Sequence, residues 1–216
     1  MNEYTKFVYE GGQGEIIEKK SRFLADVTAI ESEEDATAFV ESLRKKYWDA
    51  GHHCSAFILG ERNEISRCSD DGEPSGTAGR PILEVLTSSG LRNACIVVTR
   101  YFGGVLLGTG GLVRAYGRAA KEGLASSIIL DRIPGRILIL TCDYNSIGKI
   151  QYLAGSRGYQ ALSSDYTDIV KLEYLIPAEA ADAFAAEITE ATGGKTKIED
   201  GGTQDYAMLD KEFLLL

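Results

Sequence analysis

The chain has 216 residues, 44% hydrophobic and 25% charged, with a net charge of −9. That length suits one large domain or two small ones, and the apolar content excludes a disordered chain. The acidic balance excludes nonspecific coating of DNA or RNA, which needs positive charge, and no apolar run approaches the ~18–20 residues of a membrane span.

The first ten residues mix acids and aromatics and do not read as a secretory signal. Cysteines 54, 68, 95 and 142 form neither a C-x-x-C pair nor a metal-ribbon spacing. Reduced, mostly buried thiols are expected, in a cytoplasmic protein without a resident metal or cofactor.

In chain order, Ile16–Lys20 and Arg22–Ala29 read as short strands. Ser32 opens a helix, with Glu33, Glu34 and Asp35 in its first turn, where the helix dipole favours acids. Ala36, Phe39, Val40, Leu43 and Tyr47 recur at helical spacing and mark its buried face, and Gly51 ends the element. His53–Leu59 and Glu64–Cys68 flank a short polar connection and read as a hairpin. A loop, Ser69–Gly79, leads to a short helix over Arg80–Thr87, with Pro81 near its start. Ala94–Phe102 is a β-branched strand, Gly103–Gly111 a second glycine-rich loop, and Leu112–Ser126 a helix with Leu112, Tyr116, Ala119, Ala120 and Leu124 inward.

Residues 130–135 read as a linker, with Pro134-Gly135 as the break. A strand over Arg136–Asp143, a helix over Ser146–Arg157, strands over Tyr159–Tyr166 and Ile169–Ile176, a helix over Ala178–Ala191 and a strand over Lys195–Ala207 follow. That βαββαβ order is the ferredoxin-like split. The expected fold class is α+β, with one domain over 1–129 and a second over 136–216.

Three stretches carry chemistry. The loop Ser69–Pro81 holds Asp70, Asp71, Glu73, Ser75 and Thr77 among three glycines. Thr77 suits a helix cap that leaves free N–H groups as an anion site, and the three carboxylates suit a hard cation. A solvated turn is the plainer reading. The stretch Arg100–Arg114 runs strand, glycine loop, helix, an arrangement that presents N–H groups of Gly103, Gly104, Gly110 and Gly111 to phosphate. It matches neither G-x-G-x-x-G nor the Walker pattern. Arg114, Arg118 and Lys121 step by four and three residues onto one helix face. With Arg80 and Arg100 they form the candidate anion or RNA site. Residues 69–121 carry six bases and four acids, so the positive character is local.

The third stretch, Gly51-His52-His53-Cys54-Ser55, holds both histidines of the chain. Strand alternation puts His52 and Cys54 on one face and His53 on the other. A metal site and Cys–His nucleophilic catalysis are both conceivable there, but a structural role suits the spacing better. His53 joins the loop candidates.

The strings DDGEPSGTAGRPIL and TRYFGGVLLGTGGLVRAYG, with GHHCSA before them, resemble the YigZ/IMPACT family. The resemblance implies an N-terminal ribosomal-protein-S5-domain-2-like domain. It also implies a ferredoxin-like C-terminal domain similar to the last domain of elongation factor G. Eukaryotic IMPACT relatives are translational regulators that act through protein partners, using a further domain with no counterpart in these residues. The resemblance and the basic face imply a translation-associated binding protein that contacts RNA or a ribosome-associated partner. The alternative is an enzyme acting on a phosphorylated small molecule or peptide, with the acidic glycine loop as base or metal site. A third reading is protein–protein contact through the acidic second part. No catalytic residue is singled out, and neither a membrane nor DNA is expected as a partner.

Overall fold

The computed structural model describes residues 4–210 and 212–216. It divides into two compact units, 1–131 and 132–216. Among the described residues no helix is long and apolar enough to cross a membrane.

The first unit contains β1 (Thr5–Glu10), β2 (Gln13–Glu18), β3 (Ser21–Ala29), α1 (Glu33–Lys46), β4 (His52–Leu59), β5 (Ile65–Ser69), α2 (Gly79–Ser88), β6 (Ala94–Tyr101), α3 (Thr109–Ala125) and β7 (Ile128–Arg132). Five strands form an antiparallel sheet in the order β2-β3-β6-β4-β5, and β1 pairs with β7. Strand β6 is central. Ala94, Ile96 and Val98 face α2 and α3, while Cys95 and Val97 face the core under α1. Burial on both faces is why this strand reads as an unbroken apolar run instead of an alternating one. Helix α1 begins as its sequence implies, with Asp35 N donating to Ser32 Oγ at 3.1 Å. Its last turn carries Arg44, Lys45 and Lys46, which suits the dipole's negative end.

The second unit contains β8 (Gly135–Cys142), α4 (Tyr144–Ser156), β9 (Ala161–Tyr166), β10 (Val170–Pro177), a 3₁₀ turn, α5 (Ala181–Thr192), β11 (Lys197–Thr203), β12 (Tyr206–Leu209) and β13 (Glu212–Leu215). The sheet order β11-β8-β10-β9 is that of the ferredoxin-like split. Leu138, Leu140, Ile150, Leu172, Phe184 and Ile188 form its core. Asp143 caps α4, accepting from Ser146 N at 2.9 Å, so this helix starts two residues earlier than its sequence suggests. The stretch 195–207 is not one strand. Register shifts between Asp200 and Thr203, Gly202 has φ 97°, and the chain then enters the β12–β13 hairpin. The residues read as a linker include the end of β7, a half-exposed strand too short to show alternation.

Candidate functional site

The register of the first sheet brings the candidate residues together. His52 on β4 lies opposite Arg100 on β6, and Phe23 on β3 lies opposite Arg100 on its other side. Alternation puts these residues on the same face as Cys54 and Val98, the face that packs under α2 and α3. His53 takes the opposite face. Its amide donates to Asp71 Oδ2 at 2.6 Å, its ring Nε2 is buried without a partner among the described residues, and burial lowers its pKa against the pull of Asp71.

The three carboxylates of the acidic loop do not converge on a cation; each has its own partner. Asp70 accepts from Gly76 N at 2.8 Å, Ala78 N at 3.0 Å and Gly79 N at 2.8 Å. Burial pushes its carboxyl up, yet those three N–H groups hold it below the usual range. Asp70, not Thr77, therefore serves the start of α2, because Thr77 donates its hydroxyl to the Pro74 carbonyl at 2.6 Å. This carboxylate already occupies the anion position at that helix end. Asp70→Ala is expected to cost about 1–2 kcal/mol of stability, as other lost N-caps do, measured from the urea midpoint of the first unit. Asp71 accepts from Arg44 Nη2 at 2.7 Å. Ser75 is exposed.

Glu73 turns inward. Its side chain is 4% exposed and that of Arg100 is 7% exposed, with Arg100 Nη1 donating to Glu73 Oε1 at 2.6 Å. The Tyr116 hydroxyl donates to the same oxygen at 2.7 Å. Burial pushes the Tyr116 hydroxyl pKa well up, so it remains a donor. Arg100 also donates to Ser21 Oγ at 3.4 Å, and its guanidinium lies 5.4 Å from the Phe23 ring and 5.6 Å from the Phe102 ring. Arg100 is thus not part of an exposed basic face. Its place at the end of a buried strand, in phase with Ile96 and Val98, turns it toward the core, where only a paired cation is tolerated.

His52 Nδ1 lies 2.8 Å from the Asp71 carbonyl. A carbonyl only accepts, so Nδ1 carries the proton and Nε2 of the neutral ring is an acceptor. Nε2 lies 4.0 Å from Glu73 Oε1. Cys54 donates its thiol to the Asp70 carbonyl at 3.0 Å, and burial pushes its pKa up to about 12. It is held as a thiol at neutral pH, which removes the thiolate that Cys–His catalysis needs. Cys54, Cys95 and Cys142 are buried, but Cys68 is exposed.

Above Glu73 and Arg100 opens a cavity of about 450 Å³, walled by Pro74, Phe102, Leu106, Leu107 and Leu112, with His52 beside them and Gly108 and Thr109 at the entry to α3. Sequence reasoning missed His52, Phe102 and the leucines as lining. The signal was there in the alternation of His52 with Cys54. Gly103 and Gly104 begin the loop of this wall, and Gly110 and Gly111 form the first turn of α3. Gly104 and Gly108, with φ 81° and 71°, take conformations that side chains disfavour.

A second hollow, a groove of about 400 Å³, lies between α2 and α3 and is lined by Arg114, Arg118, Lys121, Glu84 and Val113. Arg118 pairs with Glu18 at 3.3 Å, and Arg80 pairs with Glu84 at 3.3 Å. Arg114 and Lys121 have no ion pair among the described residues. Of the five predicted cations, then, three share this groove, Arg80 stands behind Glu84, and Arg100 belongs to the other cavity.

Fold and site together define a two-unit α+β protein in which an acidic loop and a glycine-rich helix entry close over one end of a sheet. The chain belongs to the IMPACT family: the Impact N-terminal domain matches residues 19–124, and a domain of unknown function, DUF1949, matches residues 140–195. It is 41% identical to the IMPACT family member YvyE of Bacillus subtilis over 90% of this chain and 89% of that one. It is 43% identical to the IMPACT family member YigZ of Escherichia coli over 63% of this chain and 68% of that one. A crystal structure described as a hypothetical protein matches at 35% identity with a TM-score of 0.58, over 92% of this chain and 97% of its own.

Proposed function

We propose that this protein is a translation-associated binding protein that holds RNA on the groove between α2 and α3. The observation that carries this reading is the alignment of Arg114, Arg118 and Lys121 along one hollow, in a chain whose overall charge is −9. Phosphate contacts need cations in register, and a local cluster on an acidic protein gives weak, salt-sensitive and localised binding. Family membership supports the link to translation, because eukaryotic IMPACT relatives regulate that process.

The test is a titration of the whole chain with single-stranded RNA at 50 and 200 mM salt, beside Arg118→Ala/Lys121→Ala. Three phosphate contacts at a slope of ~0.7 each for single strands lead to a roughly 15–20-fold loss of affinity across that salt range. The double variant should bind several-fold more weakly and show a shallower slope. Salt-independent binding, or binding that the variant leaves unchanged, would sink the reading.

A further inference from the structure

We propose that the cavity over Glu73 and Arg100 is a site for one unstacked guanine nucleotide. This goes beyond the groove reading: the two hollows share no lining residue, and Arg114 of the groove only stands beside the entry to α3.

The floor offers acceptors. Glu73 Oε1 is taken by Arg100 and Tyr116. Its Oε2 accepts no hydrogen bond among the described residues and is not one of the buried polar atoms sealed away from solvent. His52 lines the same cavity; its Nδ1–H points at the Asp71 carbonyl, so in the neutral ring Nε2 is an acceptor. Glu73 and Arg100 cancel each other's charge, so the floor favours a neutral group with two neighbouring donors over an ammonium. Guanine presents N1–H and N2–H₂ side by side. Adenine presents an acceptor, N1, where guanine has a donor, and would face an acceptor floor.

The walls suit a flat apolar body. Leu107 and Leu112 line the cavity, and Phe102, 57% exposed, lines it too, with the Arg100 guanidinium over its ring at 5.6 Å. An aromatic face with an adjacent guanidinium is the usual platform for an unstacked base. The volume of about 450 Å³ falls in the ~300–1,000 Å³ range of small-molecule sites.

The third feature lies at the entry to α3, a 17-residue helix. The N–H groups of Thr109, Gly110 and Gly111 have no acceptor among the described residues, the first bond of the helix being Leu112 N to Gly108 O. A Cβ placed on Gly110 would lie 3.6 Å from Arg114 Nη1, so a guanidinium stands beside this first turn. A nucleotide with its base on the floor directs its phosphate toward such a donor set. A free nucleotide and a guanosine residue within single-stranded RNA share this chemistry.

The test uses NMR titration of the full chain with GMP, AMP and guanosine. The expected result is saturable GMP binding that shifts the amides of Thr109, Gly110 and Gly111 and the Phe102 ring. AMP should bind at least tenfold more weakly for want of the donor edge, and guanosine should be weaker for want of the phosphate. Phe102→Ala, at an exposed position that leaves the core intact, should weaken GMP at least fivefold. Arg118→Ala/Lys121→Ala should leave GMP binding unchanged while it weakens RNA binding to the groove, which separates the two readings. A hexaribonucleotide with one guanosine that displaces GMP identifies RNA as the source, and failure to displace it identifies the free nucleotide; both support the site. Equal affinity for GMP and AMP, absence of saturable binding, or shifts confined to the α2–α3 groove would overturn it.

Discussion

Glu73→Ala is expected to destabilise the first unit by about 3–5 kcal/mol, the usual consequence of leaving a buried charge without its partner. Arg100 is 6% exposed as a residue, and its strongest neighbour is Glu73 Oε1 at 2.6 Å. Its remaining contacts are Ser21 Oγ at 3.4 Å and the faces of Phe23 and Phe102. Neither ring nor hydroxyl neutralises a cation, and Nε is already without an acceptor among the described residues. The Tyr116 hydroxyl would lose its acceptor as well. The double change Glu73→Leu/Arg100→Met should recover most of the loss, because replacing both ions by apolar groups of similar volume removes the desolvation cost with the attraction. Hydrogen exchange of the β6 amides reads the first unit separately from the second, which matters because a two-unit chain need not unfold in one step. A single variant within 1 kcal/mol of the parent would show that water reaches Arg100 and that the pair is not structural.

This pair also shows where the sequence was legible and where it was not. The core strand β6, helix α1 with its Ser32 cap, and the βαββαβ order of the second unit are all local patterns of period 2 or 3.6, and they read directly. Strands β1 and β7 are short and partly exposed, so no alternation marks them. Arg100 is harder to place. Beside Arg114 and Arg118 it looks like one more surface base, and only its phase with Ile96 and Val98 turns it inward. Asp70, Asp71 and Glu73 are adjacent in sequence and resemble a cation site. Asp71, with φ 42°, and Gly72, with φ 86°, instead turn the chain so that the three side chains reach a helix end, an α1 arginine and the core. Such divergence comes from backbone sign changes that no spacing rule encodes, which is why the loop was found from sequence and its wiring was not.

Gly103→Ala is the second substitution with a large expected effect, and it tests how the cavity wall is fixed to the sheet. A Cβ at this position would fall inside the contact distance of the Lys20 carbonyl and the Ser21 amide. Both are backbone atoms at the tight β2–β3 turn, where Lys19 and Lys20 have φ 44° and 68°. Backbone there cannot yield as a flexible side chain would. Gly103 N also donates to Ser21 Oγ at 3.2 Å, the hydroxyl that Arg100 Nη2 uses. The alanine must therefore push the 103–108 loop off the sheet or open the turn, at a cost of about 2–3 kcal/mol typical of forced overpacking. Loss of that hydrogen bond should also displace Phe102, so NMR shifts of its ring and of the Thr109 and Gly110 amides should change even where the unit stays folded. Gly148→Ala is the control. Gly148 lies in the interior of α4, where the added methyl meets no atom within 4 Å beyond its chain neighbours and its own helix backbone, and the change should stabilise the second unit by about 0.5–1 kcal/mol through helix propensity alone. If Gly103→Ala proved as harmless as Gly148→Ala, the close approach of the loop to the β2–β3 turn would not exist in solution. The wall of the cavity would then be free to move away from Glu73 and Arg100.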